Sequence, residues 1–350
     1  MLNLLSRPRR LRRTTALRAL VQESSLSADD LILPMFVTEE EERSEIESMP
    51  GVYRETISSM TEKCKELMDL GLRGVALFPK VPNEKKDADG KESINPESLV
   101  IRSVQTLKSA CPDLVVAGDL ALDPYTVHGH DGILDSKGAV NNDATVAVLA
   151  KMAILAASAG IDVVAPSDMM DGRVGEIRKA LEDSGFSDTI IMSYSAKFAS
   201  SYYGPFRDAI GSSRDKSEKP IDKGTYQMNP ANFREAVREM QLDYEEGADI
   251  LMVKPAEPYL DVIKAAKERF TLPIAAYQVS GEYSRVWAAS ERGWLDFDSC
   301  MMESLHSIKR AGADLILTYF AESFLRKQVA APKGPIVVQE GGASGGASSP

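Results

Sequence analysis

The chain has 350 residues, 43% of them hydrophobic, enough for one large α/β barrel or two ordinary domains around a sizeable core. A formal net charge of -11 excludes a body built to grip nucleic acid, which needs a basic surface to displace counterions from phosphates. No apolar stretch approaches the roughly 20 uncharged residues that span a bilayer, so the expectation is a soluble protein that acts on a small molecule.

The chain begins with Arg7, Arg9, Arg10, Arg12, Arg13 and Arg18, with no acid among its first twenty residues. An organelle transit peptide has this composition. Pro8, however, interrupts any early amphipathic helix, and an arm that contacts an acidic neighbouring subunit explains the same charge, so residues 1–30 are read as an arm. Eight short β-rich runs follow, alternating with helical patterns: LILPMFV from Leu31, GVALF from Gly74, VVAGDLAL from Val115, DVVAPS from Asp162, TIIMSYS from Thr189, ILMVKP from Ile250, IAAYQVSG from Ile274 and LILTYF from Leu315. Strands alternating with helices predict a parallel sheet, and eight such units predict a closed (β/α)8 TIM barrel over residues 31–328. In the segment NPANFREAVREMQLDYEEGAD, Asn229 before Pro230 is the expected N-cap. Cys64, Cys111 and Cys300 are odd in number and far apart, which fits reduced thiols in a cytoplasm. The Gly/Ser-rich end GGASGGASSP places a disordered tail at 329–350.

In a barrel of this kind the chemistry sits at the carboxyl ends of the strands. Asp119, Ser167, Lys197, Lys254, Ser280 and Tyr319 each fall at or near the end of a different run, so closure would bring them to one mouth. Lys254 ends an otherwise wholly apolar run, and Lys197 ends another. A lysine amine is nucleophilic only when neutral, and its unperturbed pKa of about 10.4 leaves little neutral amine near pH 7. Burial and a nearby like charge both lower that value, which prepares a lysine for imine formation with a ketone or aldehyde. Lysines gripping phosphate or carboxylate, and a purely structural ion pair, are alternatives that the residues leave open. Downstream, Gly211 to Gly224 is too long for a simple connection and too polar for core, so it reads as a lid, flanked by Arg207, Lys223 and Gln227. Those cations and that amide suit a carboxylate-bearing substrate.

The stretches MSYSAKFASSYYGPFRDA, ADILMVKPAEPYLD, YQVSGEY, ADLILTYF and APSDMMDGRVGEIR, with the arm RPRRLRRT, closely resemble the porphobilinogen synthase (5-aminolevulinate dehydratase) family. The resemblance runs from about Ser6 to Arg326. It implies a lyase that condenses two 5-aminolevulinate molecules into porphobilinogen with loss of two waters, on the route to tetrapyrroles. By motif position, Lys254 would form the imine with the substrate supplying the propionate side and Lys197 with the one supplying the acetate side. Ser280 and Tyr319 would bind the first carboxylate, and Arg207, Lys223 and Gln227 the second. Asp119 and Ser167 would support the second substrate's amine.

One branch of the family carries three zinc-binding cysteines where GDLALDPYTVHGHDG has Ala121, Asp123 and Asp131. Without soft thiolates no catalytic zinc is expected, and His128 and His130 read as hydrogen-bonded structure rather than ligands. The resemblance also implies an activating Mg2+ at Glu239, away from the chemistry, no organic cofactor, and a homo-octamer held by the N-terminal arm. Two other classes share parts of this pattern: an imine-forming aldolase, which needs one lysine rather than two, and a catalytically silent barrel.

Overall fold

Continuous runs of Val, Ile, Leu and Ala suit parallel strands covered on both faces, and all eight runs form such strands. In the computed structural model, which describes residues 4–212 and 222–330, the strands in chain order are β1 (Leu31–Thr38), β2 (Ser44–Glu45), β3 (Tyr53–Glu55), β4 (Gly74–Lys80), β5 (Val115–Leu120), β6 (Val163–Pro166), β7 (Ile190–Lys197), β8 (Ile250–Lys254), β9 (Ile274–Gln278) and β10 (Leu315–Thr318). β1 and β4 to β10 form a ring in that order. It closes where Leu31 pairs with Ile316 and Ile32 with Leu317. The expected (β/α)8 barrel is therefore present. β2 and β3, which the apolar pattern did not signal, form a small antiparallel hairpin whose Arg54 pairs with Phe36 of β1. Because β10 pairs only with the first part of β1, this hairpin extends the ring upward into one wall of the mouth.

The outer helices bury one face each, as Met60, Cys64 and Leu67 of Ile57–Asp69 illustrate. Their starts carry oxygen caps: Thr56 accepts from Ser59 N at 3.1 Å, Asn141 from Ala144 N at 3.2 Å and Asp296 from Ser299 N at 2.8 Å. The cap expected at Asn229 falls elsewhere. The helix is Phe233–Glu245, with Asn232 before it, while Asn229 Oδ1 accepts from Ala231 N at 2.9 Å in a turn. The reason lies one residue upstream, where Met228 N donates to Lys197 O at 3.0 Å and Met228 O accepts from Ala199 N at 2.8 Å. With residue 228 fixed to the barrel, the chain must turn before a helix can start.

Behind the mouth, the buried Arg173 joins three elements. It meets Asp243 at 3.3 and 3.2 Å, Ser193 Oγ at 3.2 Å and Tyr194 O at 3.2 Å, with Asp168 Oδ2 3.7 Å from its Nε. Five directed donors let one guanidinium hold β7, the Phe233–Glu245 helix and the end of β6 together.

The arm forms a 3-10 turn at Pro8–Arg12 and a short helix at Thr15–Leu20 capped by Thr14, and neither buries a residue in its own chain. The last helix is Ala321–Ala330. Most of the Gly/Ser tail, and residues 213–221 of the expected lid, lie outside the described residues.

Candidate active site

Lys197 and Lys254 are ladder partners, side by side at the ends of the adjacent strands β7 and β8. Their alignment depends on an irregularity. Ser193 pairs with Leu251 but Ala196 with Val253, so β7 spends three steps where β8 spends two. Extended without that bulge, the ladder would put Ala196 opposite Lys254, since a one-residue slip exchanges the faces of every later side chain. The bulge, by absorbing the extra residue, sets both lysines in one mouth.

Lys254 is buried, and four aromatic rings surround its Nζ: Tyr277 at 4.3 Å, Tyr194 at 4.9 Å, Phe206 at 5.1 Å and Tyr203 at 5.4 Å, measured to ring centroids. Loss of water, followed by repulsion from Lys197, pulls its pKa down to about 7, against the opposing attraction of Asp119, Asp123 and Asp131. A substantial fraction is therefore free amine near neutrality. The rings offer their faces to whatever cation remains or forms there.

Lys197 is placed differently. Its ammonium donates to Asp131 Oδ2 at 3.0 Å and to the carbonyl of Ser167. Asp131 also takes Lys223 on its other oxygen, and Gln227 Nε2 approaches it at 3.5 Å. Burial alone would raise the Asp131 carboxyl, but Lys197 and Lys223 outweigh it and hold the group well below the usual carboxylate range. Lys223 additionally meets Asp123 at 3.3 Å. Two buried carboxylates thus hold two ammoniums, and Lys254 is the lysine left with the least charge support.

The remaining predicted residues gather around these two. Tyr319 Oη lies 3.0 Å from Tyr277 Oη, beside Lys254, with its ring stacked on Phe36 at 5.9 Å. Ser280 opens the Ser280–Glu291 helix rather than continuing the strand, and its buried Oγ accepts from Phe206 N at 3.0 Å and donates to Tyr202 O at 3.3 Å. Asp119 keeps part of its side chain open to the mouth, yet its Oδ1 is buried with no hydrogen-bond partner. Desolvation pushes that carboxyl up to about 7, against the pull of Lys254 and Lys197, so a proton donor or acceptor of matched acidity stands in the same mouth as the amine. Ser167 takes part through its carbonyl as well as its hydroxyl. Arg207 sits half-buried on the short helix Gly204–Ala209, whose last carbonyls accept from Arg54 at 2.9 and 2.8 Å. Lys86 donates to Gly211 O at 3.0 Å just beyond. The hairpin wall therefore anchors the helix that carries Arg207.

Glu239 lies outside the mouth. It lines a cavity of about 430 Å³ with Asn142, Asp171 and Glu235, among others. Burial, then repulsion from Asp243, raises its pKa. Among the described residues no three His, Cys, Asp or Glu side chains converge as a chelating set. The donors and the space suit a largely hydrated hard cation rather than a closed cage. His128 Nε2 lies 3.1 Å from Ala88 O and His130 Nδ1 3.2 Å from Tyr226 Oη, so both rings are engaged by the protein.

Asp123 and Asp131 are the functional residues that sequence reasoning undervalued, because their type spoke only to metal binding. The useful signal was an acid count: strand-end lysines brought together in a buried mouth need nearby carboxylates. The low Lys254 pKa has a direct consequence. Covalent trapping of a ketone on Lys254 with cyanoborohydride should be level above about pH 7 and fall about tenfold per unit below it, because acid converts the nucleophilic amine to ammonium. Mass spectrometry of the ILMVKP peptide across pH 5 to 9 would measure this; a profile still rising steeply towards pH 10 would contradict it.

Four similarities to known proteins bear on this geometry. The family model described as delta-aminolevulinic acid dehydratase matches residues 5–327. The chain is 53% identical over 317 residues to the chloroplastic delta-aminolevulinic acid dehydratase of Physcomitrium patens, covering 90% of this chain and 72% of that one. It is 49% identical over 327 residues to the enzyme of the same name from Bradyrhizobium diazoefficiens, covering 93% and 92%. A crystal structure of the Toxoplasma gondii ME49 enzyme in complex with its product porphobilinogen superposes with a TM-score of 0.92 at 46% identity, covering 94% of this chain and 93% of that one. The chain belongs to the delta-aminolevulinic acid dehydratase (porphobilinogen synthase) family.

Proposed function

We propose that Lys254 and Lys197 are the two imine-forming residues of the family's reaction. In that reaction two molecules of 5-aminolevulinate condense to porphobilinogen with loss of two waters, a step of tetrapyrrole synthesis. The observation that carries the assignment is the ladder pairing of two buried lysines, one of them brought close to neutrality. Each neutral amine attacks the ketone carbon of one substrate, and the carbinolamine loses water to give an imine. Formation of one C–C and one C–N bond between the substrates then expels both lysines as amines, so the two waters lost in imine formation are the net loss.

Ser280 and Tyr319, beside Lys254, take the first carboxylate through their hydroxyls, the one Ser280 O–H turning to it from Tyr202 O. Arg207, Lys223 and Gln227 take the second, beside Lys197. Before that second carboxylate arrives, Asp131 and Asp123 occupy Lys223, so substrate enters by exchanging one anion for another. Asp119 and Ser167 receive the second substrate's amine. Incubation with 5-aminolevulinate should give a pyrrole that reacts with Ehrlich reagent. Lys254→Met should abolish it with circular dichroism unchanged, and Lys254→Arg should fail equally because guanidinium stays protonated. Substrate mass fixed by cyanoborohydride only on lysines other than Lys254 and Lys197 would sink the assignment.

The same reading places an activating Mg2+ at Glu239 and no zinc at the mouth. What supports it is that Asp131 and Asp123 already pair with Lys197 and Lys223, while Glu239 faces a roomy cavity that also carries the side-chain oxygens of Asn142, Asp171 and Glu235. A zinc-selective chelator should therefore leave turnover nearly unchanged. Magnesium should stimulate it, and Glu239→Ala should remove the stimulation together with the heat of Mg2+ binding seen by calorimetry. Stoichiometric zinc whose removal abolishes activity would contradict this.

Assembly as a homo-octamer through the arm is supported by Leu5 and Leu20, 96% and 81% exposed in the single chain, and by six arginines opposite an acidic body. Deleting residues 1–20 should give slower-sedimenting, less active particles. An unchanged sedimentation profile would exclude that role. No helix among the described residues is long and apolar enough to cross a membrane, and the three cysteines are free, which supports a cytoplasmic setting. The plant relatives are named as chloroplastic.

A further inference from the structure

We propose that Glu282 is a positioning residue that sets the distance between the Lys254 amine and the hydroxyls that take its substrate's carboxylate. The inference rests on the assignment of Lys254, Ser280 and Tyr319 above and deepens it. β8 and β9 are adjacent, but their ladder ends at the pairing of Val253 with Ala276. Beyond that point Lys254 leaves on one strand and Ser280 on the other. Two cross-connections follow: Gln278 Nε2 donates to Glu257 Oε1 at 2.9 Å, and the buried carboxyl of Glu282 joins the backbones, Oε1 accepting from Glu257 N at 2.6 Å, three residues past Lys254, and Oε2 from Val279 N at 2.5 Å, next to Ser280.

A helix-capping role explains only half of this. Glu282 lies in the first turn of Ser280–Glu291, where a carboxylate commonly returns to the backbone N–H before the helix, as it does to Val279. The bond to Glu257 lies on another strand's turn and has no part in capping. No cation pairs with Glu282 among the described residues, and burial pushes its carboxyl up to about 8 against the two backbone N–H groups that hold it. Both contacts need an acceptor, whereas a glutamine would turn an N–H toward one of two N–H donors.

The two residues before Glu282 fix the same turn from the other side. Ser280 Oγ bonds to Tyr202 O and Phe206 N. A Cβ at Gly281 would lie 2.6 Å from Tyr202 O, so only glycine allows this approach. Tyr203 and Phe206, two of the four rings around Lys254, belong to the segment seated there. One helix turn thus references the amine, its aromatic box and the Ser280 hydroxyl to each other.

Two probes separate positioning from general support: 4-oxopentanoate, a ketone with a carboxylate but no amine, and acetone, a ketone with neither. Each is trapped on the full-length protein with cyanoborohydride, and the rate of labelling at the ILMVKP peptide is followed by mass spectrometry. Glu282→Gln should leave the acetone rate within about twofold and cut the keto-acid rate about tenfold or more, because misplacement matters only for a ligand held at both ends. A keto-acid rate equal to that of the unsubstituted protein would overturn the proposal, and so would an equal fall with both ketones. If Glu282→Gln does not fold by circular dichroism, Glu282→Asp, too short to reach both N–H groups, is read by the same ratio. Absence of Lys254 labelling in the unsubstituted protein would instead refute the imine assignment, a distinct result.

Discussion

Two amines that both ionise in water stand next to each other in a buried parallel ladder, where neighbouring strands run about 4.8 Å apart. Two ammoniums at that spacing would repel by roughly 3 kcal/mol at an effective dielectric of about 20. The mouth resolves the conflict by treating the lysines unequally. Lys197 is given Asp131 and a carbonyl, while Lys254 is given four rings and little else. The proton is therefore withdrawn from Lys254. That asymmetry makes one lysine ready to react while the other waits for its ion pair to be rearranged.

The supporting structure divides along the same line. Around Lys254 the parts come from strand ends and tight turns, with Tyr319 following β10 directly and Ser280 opening a helix two residues after β9. Around Lys197 they come from longer connections: Asp123 and Asp131 follow β5, and Lys223 and Gln227 precede the return to the barrel at Met228. Connections of that kind rearrange more readily than strand ends. The two proposed substrate positions are thus built from parts of different stiffness, fitting one that binds to a prepared pocket and one that must displace internal charge. Farther back, Arg173 couples β7 to the helix bearing Glu239, so a cation there would act on the strand that presents Lys197.

The barrel and the two lysines were legible in the sequence for a simple physical reason. Parallel strands covered on both faces must be continuously apolar, so Lys254 after ILMV stands out as a charge in the wrong company. Relations between distant segments were not legible. Asp131 reads as one acid in a polar loop until closure places it between Lys197 and Lys223, and Glu282 reads as a capping glutamate until Glu257 arrives from another strand. β2 and β3 are too short to show an alternation, and the start of the Phe233–Glu245 helix was misplaced by three residues because the anchoring of Met228 is a tertiary effect. Neither the bulge nor its position can be read from SYSAK, since Ser193, Tyr194 and Ser195 are all acceptable strand residues.

That bulge separates two kinds of catalyst by a single step of register. Had β7 met β8 without the bulge, its residues unchanged, Ala196 would lie opposite Lys254 and Lys197 opposite Pro255, with the second amine turned out of the mouth. What would remain is a barrel with one buried lysine in an aromatic box, the equipment of an enzyme that handles a single carbonyl compound. The capacity to join two identical keto acids into an asymmetric ring is, in this fold, a matter of strand register.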